Sequence, residues 1–401
     1  MNKRRVEVEI SLRSSLMVGT DGESTLYNET RDYVPGSALR GALAEVMLSR
    51  EAEGEFGMLF GGEMLDPIFE NLYPTRSGML TYPLPLSARS CKYHRGFKSS
   101  GGERHGVGDI LIRQAVFEAI LQTRASLPSL YEPRCPECHS AVEALTGYYE
   151  FATGQYGQAT TPVRRISRTA IERQRHVAAD RLLYTLETVE THAKDRTPLL
   201  FRGHILCAES QVPVLERWLL RVQGIGAGRS RGLGHVAVRI ASETEDSLPD
   251  LRERLERFDA TVRTEWRFYQ RVAGVAPLAE DTHFFSIDLL APAFLTRCGL
   301  PATRPDLADL ELPDGAIELW RAIGKQAIMG GWHMGGQLPR RTALATEMGS
   351  VFMYRTQGLA LEALEDRLQR LEDEGLGEER ARGFGRLLIS SPIHYQAEVT
   401  L

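Results

Sequence analysis

Two glycine clusters, 151 residues apart from Gly226 to Gly377, constrain this chain more than any other feature. The first runs from Gly224 to Gly234 (GIGAGRSRGLG) and the second from Gly375 to Gly385 (GLGEERARGFG). Each follows a helix-periodic segment, and each such segment follows a strand. In the first copy Phe201–Cys207 is strand-like, Leu215, Trp218, Leu219 and Val222 recur at helical spacing, and His235–Ile240 alternates as a closing strand. In the second, Val351–Tyr354 is the strand, Leu361, Leu364, Leu368 and Leu371 mark one helix face, and Arg386–Ile389 closes. A repeat of about one domain length implies a duplicated unit.

Each unit opens with its own strand: Val6, Val8, Ile10 and Leu12 alternate in the first, and Phe284–Leu290 serves the second. After the first strand, Tyr33–Gly41 (YVPGSALRG) makes a Pro-Gly turn, with Ser37 expected to cap a helix from Ala38 to Leu48. A strand, a helix, more strands, then helix, glycine loop and strand is the order of a ferredoxin-like (RRM-like) α+β fold. The expected organisation is a first domain over 1–245 and a second over 281–401. A linker helix within 246–280, carrying Leu251, Leu255, Phe258 and Val262, joins them.

Several function classes fall away. The chain has 401 residues, 42% hydrophobic and 25% charged, which is globular composition. No apolar run approaches the roughly 18 residues of a membrane span. The start leads into alternating Val and Glu rather than an apolar secretion core, so a cytoplasmic protein is expected. The glycine clusters follow helices and open strands, the reverse of a dinucleotide fingerprint. Gly324-Lys325 precedes Gln326, so no Walker loop forms. Phe60–Met64 (FGGEM) offers one carboxylate where metal-dependent phosphoryl chemistry needs two.

What remains is a pair of glycine hairpins with arginines inside them. Glycines let backbone approach a ligand and present N–H groups to phosphate. Gly226, Gly228, Arg229, Arg231, Gly232 and Gly234 form the first candidate phosphate-binding set. Gly377, Arg380, Arg382, Gly383 and Gly385 form the second, with Arg386 beside it. The net charge is −5, so any polyanion must bind along a local groove. Of 48 Lys and Arg, only five are Lys, leaving 43 Arg. GC-rich codon usage is one reading of that excess, and bidentate phosphate recognition is the other.

The chain resembles the RAMP superfamily, the repeat-associated subunits of CRISPR effector complexes. The matching pieces are Tyr33–Gly41, Leu59–Gly61, Val163–Arg168, Leu182–Tyr184, Ser230–Gly234 and Gly349–Phe352, and they span most of the chain. Its two-unit length looks like the subunit that caps the 5′ end of the CRISPR RNA. The region of Ser90-Cys91-Lys92 and His105-Gly106-Val107 looks most like the subtype III-D version. The resemblance implies two ferredoxin-like domains and binding to the repeat-derived crRNA handle. It also implies contacts with the large subunit and a backbone subunit. Target RNA is a candidate further partner, and no membrane is expected as one. Arg40, in the first matched segment, joins the RNA-binding candidates.

A thumb-like hairpin is implied at about 163–184. From Arg164 to Arg181 lie six Arg (164, 165, 168, 173, 175, 181) against Glu172 and Asp180. That strip is either a solvated face or a phosphate track. Arg164, Arg165, Arg168, Arg173 and Arg175 are its RNA-binding candidates. Tyr148, Tyr149, Phe151 and Tyr156, just upstream, either stack bases or belong to the core.

Cys135-Pro-Glu-Cys138 is a knuckle whose thiolates can hold one structural Zn²⁺, with Cys91 as a third ligand, pinning an insertion at about 88–142. His94, His105 and His139 are candidates for the fourth, and the resemblance favours His105. Cys207 and Cys298 are expected to be packing residues. Neither Asp21 nor Asp32 matches a nuclease pattern, and the first His is His94, past the first helix. A non-catalytic RNA-binding subunit is therefore expected. The alternative is a metal-independent endoribonuclease for precursor crRNA, with His176, His235 or His333 as its base.

Overall fold

A computed structural model describes residues 3–19, 27–62, 66–75, 77–98, 101–123, 131–152, 155–172, 174–175, 177–193, 195–241, 248–312, 315–333 and 338–401. The first half is built from β1 (Lys3–Leu12), α1 (Gly36–Leu48), β2 (Ile68–Phe69), β3 (Tyr73–Thr75), β4 (Leu200–Ala208), α2 (Val212–Leu219) and β5 (Val236–Ile240). Then α3 (Leu251–Ala273) crosses to β6 (Thr282–Leu289), β7 (Ile317–Ile323), β8 (Val351–Gln357), α4 (Glu362–Glu374) and β9 (Leu387–Ile389). The first sheet is ordered β5-β1-β4-β2, with β3 also on β4, and the second β9-β6-β8-β7. In both, the last strand lies beside the first and the third beside the second, and every pairing is antiparallel.

Alternation in β1 explains the first core. Val6, Val8, Ile10 and Leu12 face α1 (Leu39, Leu43, Met47) and α2 (Leu215, Trp218, Leu219). The opposite face carries buried Glu7 and Glu9, paired with Arg202 at 2.9 and 3.0 Å. The second sheet is covered on both faces. Phe285, Ile287 and Leu289 meet α4, while Phe284, Val351 and Met353 meet α3 and the helix Leu111–Gln122. Tyr148, Tyr149 and Phe151 are buried, so they are core residues and not base-stacking platforms.

Three local expectations are corrected. Ser37 makes no cap; the side-chain oxygen of Asn71 accepts from the Gly36 N–H at 3.0 Å instead. Cys207 is buried, but Cys298 is exposed. It sits with Gly299 at the tip of a two-residue hairpin loop, both at positive φ, which places its side chain outward. Arg386 is buried and bonded within the protein, as described next, and cannot serve RNA.

The glycine loops repeat bond for bond. Ile225 N–H donates to Gly234 at 2.9 Å and Leu376 to Gly385 at 2.8 Å. Gly234 donates to Ser15 and Gly385 to Pro292, both at 2.9 Å. Among the described residues, only the second loop also seats on the other half. A Cβ on Gly383, at φ 90°, would lie 2.6 Å from the Phe69 carbonyl oxygen, whereas Gly232 at φ 83° has open space. Beside it Arg386 pairs with Glu70 at 2.8 Å. Burial pushes the Glu70 carboxyl up, but Arg386 and His204 outweigh it and hold the value at about 2. Gly232→Ala is expected to cost about 1–2 kcal/mol from left-handed strain, and Gly383→Ala clearly more. Thermal unfolding of the two variants checks this, and equal losses would contradict the seam.

A second tie across the seam is His394, with no side-chain exposure, between Asp109 (3.0 Å) and Asp288 (2.5 Å). Burial pulls the imidazole down, yet Asp288 and Asp109 prevail and hold it at about 10. A raised folded value means the stabilisation is complete below the free value of 6.5 and lost as pH rises through about 10. His394→Gln should cost about 3–5 kcal/mol near pH 6, the scale of a broken buried pair, and far less near pH 10. Equal losses at both pH values, read by denaturant unfolding, would place the proton elsewhere.

Candidate metal centre and nucleic-acid interface

Three short strands, Ala88–Cys91, Val107–Asp109 and Val142–Ala144, form a small sheet in the insertion. Cys91 ends the first, and His105 lies two residues before the second. Cys135 and Cys138 come from a turn closed by His139, whose N–H donates to the Cys135 carbonyl at 2.8 Å and whose φ is 56°. Ligand atoms of Cys91, His105, Cys135 and Cys138 all lie within 4.8 Å of one another. Cys91 Sγ is 3.6 Å from Cys138 Sγ, and His105 Nδ1 is 3.3 Å from Cys135 Sγ. A tetrahedral ion with thiolates at about 2.3 Å spaces its donors about 3.8 Å apart, so this set fits one ion.

The structure selects His105 among the three candidates. The His94 ring stacks on it at 4.0 Å and turns its Nδ1 to the Glu103 carbonyl, and His139 only closes the turn. Hydrogen bonds from the Ser140 side chain and backbone draw the Cys138 thiol down to about 6, into the range where it is a thiolate at neutral pH. Burial pushes Cys135 the other way.

The basic candidates divide into two groups. Arg231 Nη1 donates to the Tyr184 hydroxyl at 3.3 Å, and Tyr184 pairs with Arg168 in the hairpin of Val163–Glu172 and Val177–Val189. Leu233, Leu186 and Met17 pack beneath. The first loop thus meets the hairpin face that carries Tyr184, Arg168 and Arg164, while Arg165, opposite Glu187 and over the Tyr27 ring, lies on the other face. Arg164 and Arg165 are exposed and reach Glu190 (3.9 Å) and Glu187 (3.1 Å). Arg175 is exposed near the hairpin tip, while Arg173 and His176 lie outside the described residues. Arg229 pairs with Glu45 of α1 at 2.7 Å.

The second group sits at the seam. Arg382 pairs with Glu379 at 2.7 Å and Arg380 with Glu374 at 3.8 Å. Gly377 lies against the Phe294 carbonyl and Gly385 against that of Leu376. Gly226, Gly228 and Gly234 in the first loop likewise meet Met17, Leu233 and Ile225. These glycines are therefore explained by contacts within the protein. Arg40, one turn beyond Gly36 on α1, lies over the Phe60 ring at 4.8 Å and pairs with Asp66 at 3.6 Å. The seam ties at Glu70, Asp109 and His394 carry no sequence signal, because each partner is distant in the chain.

No family model matches this chain, and no curated protein matches it. Among the solved structures to which it is similar are subunits of type III CRISPR complexes. One belongs to a type III-B Cmr-beta complex bound to cognate target RNA, at 11% identity and TM-score 0.44, covering 95% of this chain and 96% of that one. Another belongs to the same kind of complex with AMPPnP, at 11% identity and TM-score 0.42, covering 86% of each. A third belongs to the Csm3–Csm4 subcomplex of a type III-A interference complex, at 11% identity and TM-score 0.33, covering 86% and 92%. Among the described residues no helix is long and apolar enough to cross a membrane.

Full-length protein purified without chelator is expected to carry about one metal ion per chain by elemental analysis. Cys138→Ser should lose it and lower the first unfolding transition. A folded, metal-free wild type would contradict the assignment.

Proposed function

We propose that this chain is a non-catalytic, RNA-binding RAMP subunit of a type III CRISPR effector, resembling the subtype III-D handle-capping protein. It binds the 5′ repeat-derived handle of crRNA and contacts the large subunit and a backbone subunit. In this reading 1–245 and 281–401 are two ferredoxin-like domains. Their shared strand order supports it, as does the bond-for-bond repeat of the two glycine loops. The ion of the insertion is structural Zn²⁺. Three thiolates and an imidazole are donors that suit this borderline-soft cation, and a closed set of four leaves no position for substrate.

The observation that carries the RNA assignment is the contact of Arg231 with Tyr184, which merges the first loop and the thumb into one basic strip. Elsewhere a net charge of −5 repels RNA, so binding is confined to the strip. Exposed pairs such as Arg229–Glu45 contribute only about 0–1 kcal/mol. A phosphate, offering a charged bidentate acceptor, can therefore displace Glu45.

Each single-stranded phosphate neutralised adds about −0.7 to the log–log salt slope. Replacing Arg229 and Arg231 with Ala should flatten the slope for repeat-handle RNA by about one to one and a half units. The RNA should be recovered intact. An unchanged slope would make the loop a structural hairpin only, and cleaved RNA would favour the endoribonuclease reading.

A further inference from the structure

The strand Val107–Asp109 stands between the metal cluster and the seam, and the segment 392–401 lies along it. The Glu398 carboxylate accepts from the Val107 N–H at 3.1 Å and the Lys98 N–H at 2.9 Å. Val399 N–H donates back to the Val107 carbonyl at 3.2 Å. The Lys98 ammonium reaches Glu137, inside the Cys135–Cys138 knuckle, at 3.6 Å. Glycine allows the close approach, since a Cβ on Gly108 would lie 2.4 Å from the Leu401 side chain. Arg113 holds the Leu401 carbonyl at 2.8 Å. At the far end of the same strand, Asp109 meets His394, which meets Asp288 of the second sheet.

We infer that the metal centre anchors a clamp: the bound ion orders the 101–109 segment, 392–401 docks on it, and His394 carries the grip to the second sheet. This rests on the reading of the cluster as a Zn²⁺ site. Glu398 is a positioning residue, two hydrogen bonds from a loop that supplies a ligand. By linkage, docking of 392–401 tightens the metal as much as the metal tightens docking. The seam is thereby metal-dependent, although no ligand lies in it.

The test uses the full chain. Hydrogen–deuterium exchange is followed in peptides covering 395–401, with Zn²⁺ bound, after removal by chelator, and after Zn²⁺ is restored. The expected result is exchange about tenfold faster in 395–401 on removal, reversed on addition, with faster exchange in 91–142 as well. Glu398→Gln leaves every ligand in place and should speed Zn²⁺ release to a chromogenic chelator about tenfold, the scale of lost charge-assisted hydrogen bonds. Faster exchange confined to 91–142, or unchanged Zn²⁺ release from the variant, would overturn the clamp while leaving the metal site. A chain that takes up no Zn²⁺ would overturn both.

Discussion

Backbone lying directly on backbone, with no Cβ between, is the contact on which the rest of this structure depends. Gly226 rests on the Met17 carbonyl and Gly377 on that of Phe294. These contacts bring β5 beside β1 and β9 beside β6, closing each sheet in the same order. They also set where Arg229, Arg231, Arg380 and Arg382 emerge. Gly383 extends the same device across the seam, where Phe69 and Asn71 receive the second loop. A side chain at that position would push the halves apart and strain the turn together.

The two sheets were legible because alternation of period two and glycine clusters are local signals. Val6 to Leu12, Phe284 to Leu290 and the α3 residues Leu251 to Val262 lie where the pattern put them. Thiol spacing marked the Cys-His cluster that fits a metal ion, and the family resemblance singled out His105 among three histidines. What pattern could not carry was pairing over long separations. Asn71 in place of Ser37 as cap, Glu70 holding Arg386, and Asp109 waiting for His394 each depend on how the halves meet. The aromatic run at 148–151 was ambiguous for a related reason: strand-forming tyrosines look alike whether they face RNA or a core.

Part of the arginine excess has a structural use. Arg254 meets Glu372 as a fork, at 2.7 and 2.9 Å, in a buried position. Arg202 spans Glu7 and Glu9, and Arg386 bonds to Glu70 and to the carbonyls of Glu372 and Asp373. A lysine has no planar fork and could not satisfy two acceptors in these geometries. These cations are spent inside the protein, so the overall count overstates what a polyanion meets. The exposed remainder on the hairpin and the first loop sets the field at that surface.

The reach of His394 also bears on how the chain is made. Asp109 meets its imidazole partner only after about 285 further residues have been synthesised. At roughly 5–20 residues per second on the ribosome, that is a delay of about 15–60 s. Among the described residues, Asp109 also accepts from the Ser87 hydroxyl and the Leu111 N–H, both made long before His394. The seam therefore closes late in biosynthesis, long after the first sheet has had time to form but together with β9, the last strand of the second, and a nascent chain passes through a stage with two carboxylates facing an unfilled gap. Chaperone capture, if the chain needs it, belongs to that interval.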